Sequence, residues 1–382
     1  MSKVVNVNNV DSEVNSEYYD VAHIDKLNCH YNIIFGKRSN GKTYSVLKKI
    51  VNNYAKHGEQ GAYLRRYRED FKGKRGATMF DSLIANDEIR KATNGKWDTV
   101  RFYSDRWYFA RKDEEDDRLI SDSEPFCYGF SLAQMEHDKS TSYPMITTVV
   151  FDEFMSRIGY LPNEFVLFMN VLSTIIRQRN NIRIYMLGNT VNKYCPYFQE
   201  MGLKHIEEME PGKIDVYTYG ESALRVACEF TANHNIEGRK SDVYFAFDNP
   251  SLQMITGGAW EIDLYPHLPE AYEHYPERTI FRYFVNFNNN ILQCNIVQFD
   301  DCSFTYVHRK VGEIRHPESD IIFETEYDPR PNHVRNMLHG TADFVRKLYR
   351  FYRDDKVFYQ DNEVGEVIRN YLMFCQKEHK IV

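Results

Sequence analysis

The chain has 382 residues, is 42% hydrophobic and 27% charged, and carries a net charge of −7. That length suits two or three domains, and the acidic balance excludes a chain that is basic throughout, as a general nucleic-acid binder would be. No apolar run approaches a membrane span, the polar start MSKVVNVNNVDSEVNSEYYD is not expected to be a signal peptide, and the cysteines, odd in number and without CxxC pairs, predict reduced thiols, a cytosolic setting and no zinc site.

The first strong signal in chain order is 33-IIFGKRSNGKTYSVLKKI-50. Residues 32–35 predict a short buried strand, and 44–56 an amphipathic helix ending near Gly58. Between them, Gly36 to Thr43 spell G-x-x-x-x-G-K-T, a full Walker A pattern. Gly36 and Gly41 admit backbone conformations that a Cβ forbids, so the loop through Lys37, Arg38, Ser39 and Asn40 can turn its amides toward phosphate oxygens at a helix N-terminus. Lys42 is then placed for the β- and γ-phosphates and Thr43 for Mg²⁺, with Tyr44 opening the helix.

Next, 64-LRRYREDFKGKRG-76 gathers Arg65, Arg66, Arg68, Lys72, Lys74 and Arg75. This local basic patch suits DNA phosphates, although a solvated junction between strand and helix explains it equally well. The strand-like RFYSDRWYFARK ahead of 113-DEEDD-117 predicts a hairpin with an acidic tip.

A second buried strand, 146-ITTVVFDEF-154, ends in Asp152 and Glu153, as a Walker B strand does. Asp152 would hold Mg²⁺ through its water shell, and Glu153 would polarise the attacking water as general base. A small-molecule kinase finds its nucleophile on the acceptor and has no use for the second carboxylate, so the pair argues for ATP hydrolysis coupled to motion. The apolar pattern 165-FVLFMNVLSTIIRQRNN-181 predicts a helix ending in Arg177 and Arg179. Such an arginine either reaches the γ-phosphate of a neighbouring subunit or merely complements a helix C-terminus. In 182-IRIYMLGNT-190, a buried strand ends at Asn189, a polar sensor ahead of Thr190 or else part of a plain turn.

IDVYTY and LRVACEF predict two more short strands before residue 230. Residues 231–270 read as a linker or small helical subdomain. Then TIFRYFVNF, ILQCNIVQF and CSFTYVHRKV predict an antiparallel meander, with helices near 333–352 and 361–377. A meander followed by helices fits the RNase H-like fold of terminase nucleases. An active nuclease of that kind needs acidic residues that hold two metal ions, yet Asn286 stands on the first strand where an aspartate is wanted. Asp300, Asp301 and Asp343 do not by themselves make a metal pair.

Taken in order, GKRSNGKTYS, 57-HGEQGAYLRRYRE-69, 137-HDKSTSYPMITTVVFDEF-154, 161-LPNEF-165, 176-IRQRNNIRIYMLGN-189 and 195-CPYF-198 carry a resemblance. The chain resembles the DNA-packaging motor ATPases of phi29-like short-tailed phages, within the terminase and translocase group of P-loop ATPases. The likeness covers most of residues 30–200 and is faint beyond about residue 230.

The resemblance implies a homo-oligomeric ring, a pentamer, mounted on the portal of an empty prohead and driving double-stranded DNA inward with ATP and Mg²⁺. It implies catalytic roles for Lys42, Glu153, Arg177 and Asn189, and metal ligation by Thr43 and Asp152. It also implies action across the subunit interface by Arg177 and Lys139, and DNA contact by the patch around Arg68. It places the protein in the host cytoplasm, attached transiently to the portal vertex and absent from the mature virion. Since such phages package unit-length genomes, no cutting is needed.

The expected architecture is an α/β P-loop ATPase domain of the ASCE type with a parallel-sheet core over 1–230, then the linker 231–270. An RNase H-like α+β domain, a vestigial nuclease, is expected over 271–382. Three other readings stand beside the motor: a terminase subunit with an active nuclease, a non-motor P-loop kinase, and a monomeric nucleotide-gated DNA switch. Step size, the portal partner and the presence of a structural RNA are not written in the sequence.

Overall fold

Two runs of buried strand separated by amphipathic helices dictate a sheet covered on both faces, and the computed structural model of the chain has one. It describes residues 3–5, 18–36, 40–113, 118–133, 141–156, 160–161, 163–189, 195–220, 222–231, 265–287, 290–338 and 342–379. The chain divides into two compact units, 1–261 and 262–382. The stretch expected as a linker falls outside the described residues from 232 to 264.

The first unit contains β1 (Lys3–Val5), β2 (Tyr31–Gly36), β3 (Gln60–Arg65), β4 (Thr99–Tyr103), β5 (Arg106–Lys112) and β6 (Leu119–Ser121). It continues with β7 (Cys127–Ser131), β8 (Ile146–Asp152), β9 (Arg183–Asn189), β10 (Lys213–Thr218) and β11 (Arg225–Phe230). They join in the order β1-β10-β11-β2-β9-β8-β3-β7-β5-β4, with β6 on β5. From β11 to β7 every pairing is parallel, and antiparallel strands finish both edges. The acidic hairpin tip, 114–117, lies outside the described residues, but the flanking β5 and β6 pair antiparallel as expected.

Central parallel strands are buried on both faces, and alternation sorts their side chains. Ile33, Phe35, Ala62, Leu64, Val149 and Phe151 pack on one face with Phe168, Val171, Leu172 and Ile175 of the helix Glu164–Ile176. Ile34, Tyr63 and Val150 pack on the other with Val46, Leu47, Ile50 and Val51 of the helix Lys42–His57. The same alternation turns Asp152 toward the helix Lys42–His57.

The helix expected over 165–181 stops at Ile176. Arg177 and Gln178 adopt φ of +43° and +45°, which breaks the helical path. The guanidinium of Arg179 then donates to the carbonyls of Ile175 and Ile176 at 2.6 and 3.2 Å, supplying partners that the helix end lacks.

The second unit holds β12 (Thr279–Phe287), β13 (Asn290–Gln298), β14 (Ser303–Arg309), β15 (Ile322–Glu324), β16 (His333–Val334) and β17 (Val357–Tyr359). Their order is β16-β15-β12-β13-β14-β17. The expected meander is β12-β13-β14, and β13 alone runs against the other strands. The helix expected over 333–352 begins only at Asp343, because His333 and Val334 pair with Ile322 and Phe323 as an edge strand. Val345, Leu348 and Tyr352 bury one stripe of the helix Asp343–Arg353, and a second helix spans Asn362–His379. Among the described residues no helix is long and apolar enough to cross a membrane, and the cysteines are free thiols.

Candidate functional site

Parallel strands bring their carboxyl ends to one edge, and there β2 opens into the glycine-bracketed loop. Gly36 has φ +151°, and a Cβ at that position would lie 2.0 Å from Thr231 Oγ1. Gly41 has φ +94° and stands against Tyr18. Both positions therefore require glycine. Lys37, Arg38 and Ser39 lie outside the described residues. Lys42 folds back into the loop, its Nζ donating to Asn40 Oδ1 at 3.1 Å and to Gly36 O at 3.4 Å. Burial pulls its ammonium down to about 8, against the attraction of Asp152 and Glu229. Tyr44 turns away from the loop, and its hydroxyl donates to Glu88 at 3.3 Å.

Asp152 ends β8 within reach of the same helix. The Thr43 hydroxyl lies 3.3 Å from both of its carboxylate oxygens, and Tyr63 donates to Oδ2 at 2.8 Å. Burial raises the Asp152 carboxyl above its usual range, while Arg65 and the Tyr63 hydrogen bond oppose the rise. Glu153 follows in a left-handed conformation, φ +55°, with its side chain 59% exposed at the site's mouth. Asn189 closes β9 directly beside Gly36. Thr190 and Lys139 lie outside the described residues.

Two residues expected in the DNA patch sit elsewhere. Tyr63 and Arg65 share a face of β3, so Arg65 reaches the carboxylates instead of solvent. It bonds Glu153 Oε2 at 2.6 Å and lies 3.6 Å from Asp152 and 3.7 Å from Asp70. Arg66 leaves on the opposite face and is buried against Glu164. Arg68, Lys72, Lys74 and Arg75 remain exposed, with Arg68 paired to Asp105 at 2.6 Å.

Arg177 is exposed, and its Nη2 donates to Thr141 O at 2.8 Å. Arg179 is consumed by the fold: besides the helix-end carbonyls it donates to those of Tyr143, Pro144 and Ile146 at 2.7–2.9 Å.

Sequence reasoning missed a buried cluster behind the phosphate loop. Glu229 accepts from Tyr19 at 2.6 Å and lies 2.7 Å from His23 Nε2. Burial disfavours the His23 cation, yet the bond and charge of Glu229 outweigh it and hold the imidazole above its usual value. Glu229 lies on β11 after the part of the chain that carries recognisable motifs, so nothing local flags it.

In the second unit, Asn286 stands in register with Glu324 on β15. Glu324, Asp328 and His333 lie close enough for a metal group, and their side chains are already hydrogen-bonded within the unit. His333 Nδ1 bonds Glu324, and Arg330 grips Asp328 with bonds of 2.7 and 2.9 Å. Asp300 is exposed in a turn beside Arg278, and Asp343 is exposed and paired with Lys347.

These features define a mixed α/β protein whose parallel-dominated sheet gathers a glycine-bracketed loop, a lysine and two carboxylates at one edge. Residues 14–217 match the family described as Podovirus DNA encapsidation protein (Gp16), and the chain belongs to that family. A DNA packaging protein of Bacillus phage B103 is 31% identical over 175 residues, 45% of this chain and 48% of that one, so the match spans about half the relative's length. Two solved structures share the fold at TM-score 0.52. The Phi-28 gp11 DNA packaging motor is 16% identical and covers 94% of this chain and 98% of its own. The bacteriophage Phi-29 viral genome packaging motor assembly is 17% identical and covers 95% and 100%.

Proposed function

We propose that this chain is the ATP-hydrolysing subunit of a ring motor that drives double-stranded DNA into a prohead through its portal. One observation carries the reading: β9 lies between β2 and β8, so the helix after the loop and the carboxylate that ends β8 face each other across an inserted strand, with Thr43 3.3 Å from Asp152. This order supports an ASCE reading, in which the residue after the metal-binding aspartate serves as base for water. Lys42 binds the β- and γ-phosphates, Glu153 takes the proton of the attacking water, and Asn189 senses the γ-phosphate from the next strand. Thr43 and Asp152 form an all-oxygen pair that would hold Mg²⁺, which would supply positive charge to offset that of the phosphates.

Arg65 draws Glu153 aside in this arrangement, and nucleotide must compete for one of the two. Arg177, with Lys139, serves the neighbouring subunit. Arg68, Lys72, Lys74 and Arg75 offer phosphate contacts to a DNA track, and a basic lining limited to the pore is compatible with the acidic whole. On this reading the ring works in the host cytoplasm, on the portal vertex. The test is ATP turnover by the purified chain with and without double-stranded DNA, and then with proheads. Hydrolysis stimulated by DNA is expected; no hydrolysis under any of these conditions sinks the motor.

The second unit is read as a vestigial nuclease. The order β14-β13-β12-β15-β16 with only β13 reversed, extended by β17 beside β14, supports an RNase H-like reading. Where catalysis needs carboxylates free to hold metal, Asn286 is neutral and Glu324 and Asp328 are met by His333 and Arg330. Supercoiled plasmid incubated with the protein and Mn²⁺ should therefore stay supercoiled. Nicking that disappears in Glu324→Gln or Asp328→Asn would instead favour a terminase with a working nuclease.

A further inference from the structure

Arg65 and Arg66 bracket the turn that follows β8 from two sides. Arg65 holds the carboxylate of Glu153, and Arg66 holds its backbone. The Arg66 guanidinium donates to Glu153 O at 3.3 Å and to Phe154 O at 2.8 Å, so two successive carbonyls of the turn converge on one planar fork. The rest of the fork meets Glu164, Nε to Oε2 at 2.7 Å and Nη2 to Oε1 at 2.8 Å. Glu164 has only 1% of its side chain exposed, and it also accepts from Leu161 N at 2.6 Å and Tyr197 Oη at 2.9 Å. The Tyr160 ring stacks 5.2 Å from the guanidinium.

A glutamate rarely takes φ near +55°, and such a residue persists only where its surroundings over-determine it. The direction in which the Glu153 side chain leaves the backbone depends on that conformation. We propose that Arg66, fixed by Glu164, is the positioning residue for Glu153: it keeps the turn left-handed and so holds the carboxylate at the mouth of the site, where nucleotide can draw it from Arg65. This rests on Glu153 being the base. The geometry also explains the residue type. A lysine, with three donors on one nitrogen and no planar fork, cannot reproduce the four bonds that Arg66 makes, two of them bidentate to Glu164. Glu164 opens the helix that ends at Ile176, just before Arg177, so the same clamp joins the Glu153 turn to that helix.

Arg66→Ala would strand a buried carboxylate and is a poor probe, so Arg66→Lys and Glu164→Gln are used in the full chain. Thermal melting, binding of a fluorescent ATP analogue, KM and kcat are measured for each, alone and in a Glu153→Gln background. Both single variants are expected to fold and to bind nucleotide within about threefold of wild type, while kcat falls by about 10², as small misplacements of a reacting group do. In the Glu153→Gln background the same changes should lower the residual rate by no more than about twofold, because the residue acts through a carboxylate already removed. A kcat within about threefold of wild type would show that the turn stands without the clamp. A parallel loss of nucleotide affinity, or an equal further loss in the Glu153→Gln background, would show that Arg66 does not work through Glu153; either result overturns the proposal. Should Arg66→Lys fail to fold, Glu164→Gln carries the comparison, since it keeps the guanidinium and the partner's shape. Failure of the base assignment looks different: Glu153→Gln itself then turns over ATP like wild type.

Discussion

Glu153→Gln is expected to bind Mg·ATP normally and to lose steady-state hydrolysis by on the order of 10²–10⁴, the usual contribution of a positioned base. The amide keeps the side chain's shape and its place beside Arg65 but cannot take a proton. Lys42, Thr43 and Asp152, which would hold the nucleotide, are untouched. Lys42→Ala removes the ammonium seated between Gly36 O and Asn40 and should act earlier, on binding itself. Equilibrium binding and turnover measured side by side separate the two roles. Turnover of Glu153→Gln within about threefold of wild type, or equal binding by both variants, would contradict the division of labour.

Arg177→Ala is expected to cost on the order of 10³–10⁵ in turnover, as arginine fingers do, and to be rescued in mixed rings. Topology supplies the reason for action across an interface. The phosphate loop follows the carboxyl end of β2, whereas Arg177 precedes the amino end of β9, the strand paired with it in parallel. Seven residues of strand separate those edges, about 20 Å at ~3.3 Å per residue, beyond the reach of an arginine toward its own loop. Mixing Arg177→Ala with Glu153→Gln subunits creates some interfaces with an intact finger and an intact base, so part of the activity should return. If native mass spectrometry shows mixed rings and no activity returns, Arg177 is only a helix-end charge. Arg179 cannot replace it in that role, because its guanidinium is already spent on five carbonyls.

Much of the phosphate-loop edge could be read in the sequence because its signals are contiguous. A strand, a glycine-bracketed loop and a helix lie within 33-IIFGKRSNGKTYSVLKKI-50, and Asp152-Glu153 end an apolar run that can only be buried. Glycine at 36 and 41 is a local backbone requirement, visible before any packing is known. Residues 37–39 and 139 remain known from sequence only.

Other features depended on strands far apart in the chain. The basic run at 65–75 looked like one patch, but alternation at the end of β3 sends Arg65 to one face and Arg66 to the other, and only the neighbouring β8 decides what they meet. Arg66 and Glu164 are 98 residues apart, and no period or spacing links them. Arg179 shared a charge run with Arg177, yet Arg179 is taken up by the carbonyls of Tyr143, Pro144 and Ile146, while Arg177 bonds Thr141 O and stays exposed. In the second unit an edge strand displaced the start of a predicted helix, because pairing with β15 satisfies backbone groups that local propensity cannot weigh. The sequence by itself determined which residue types were present at the turns and strand ends. Tertiary pairing decided which charges face the glycine-bracketed loop, solvent or one another, because a side chain's partner is set by the strand or helix packed beside it.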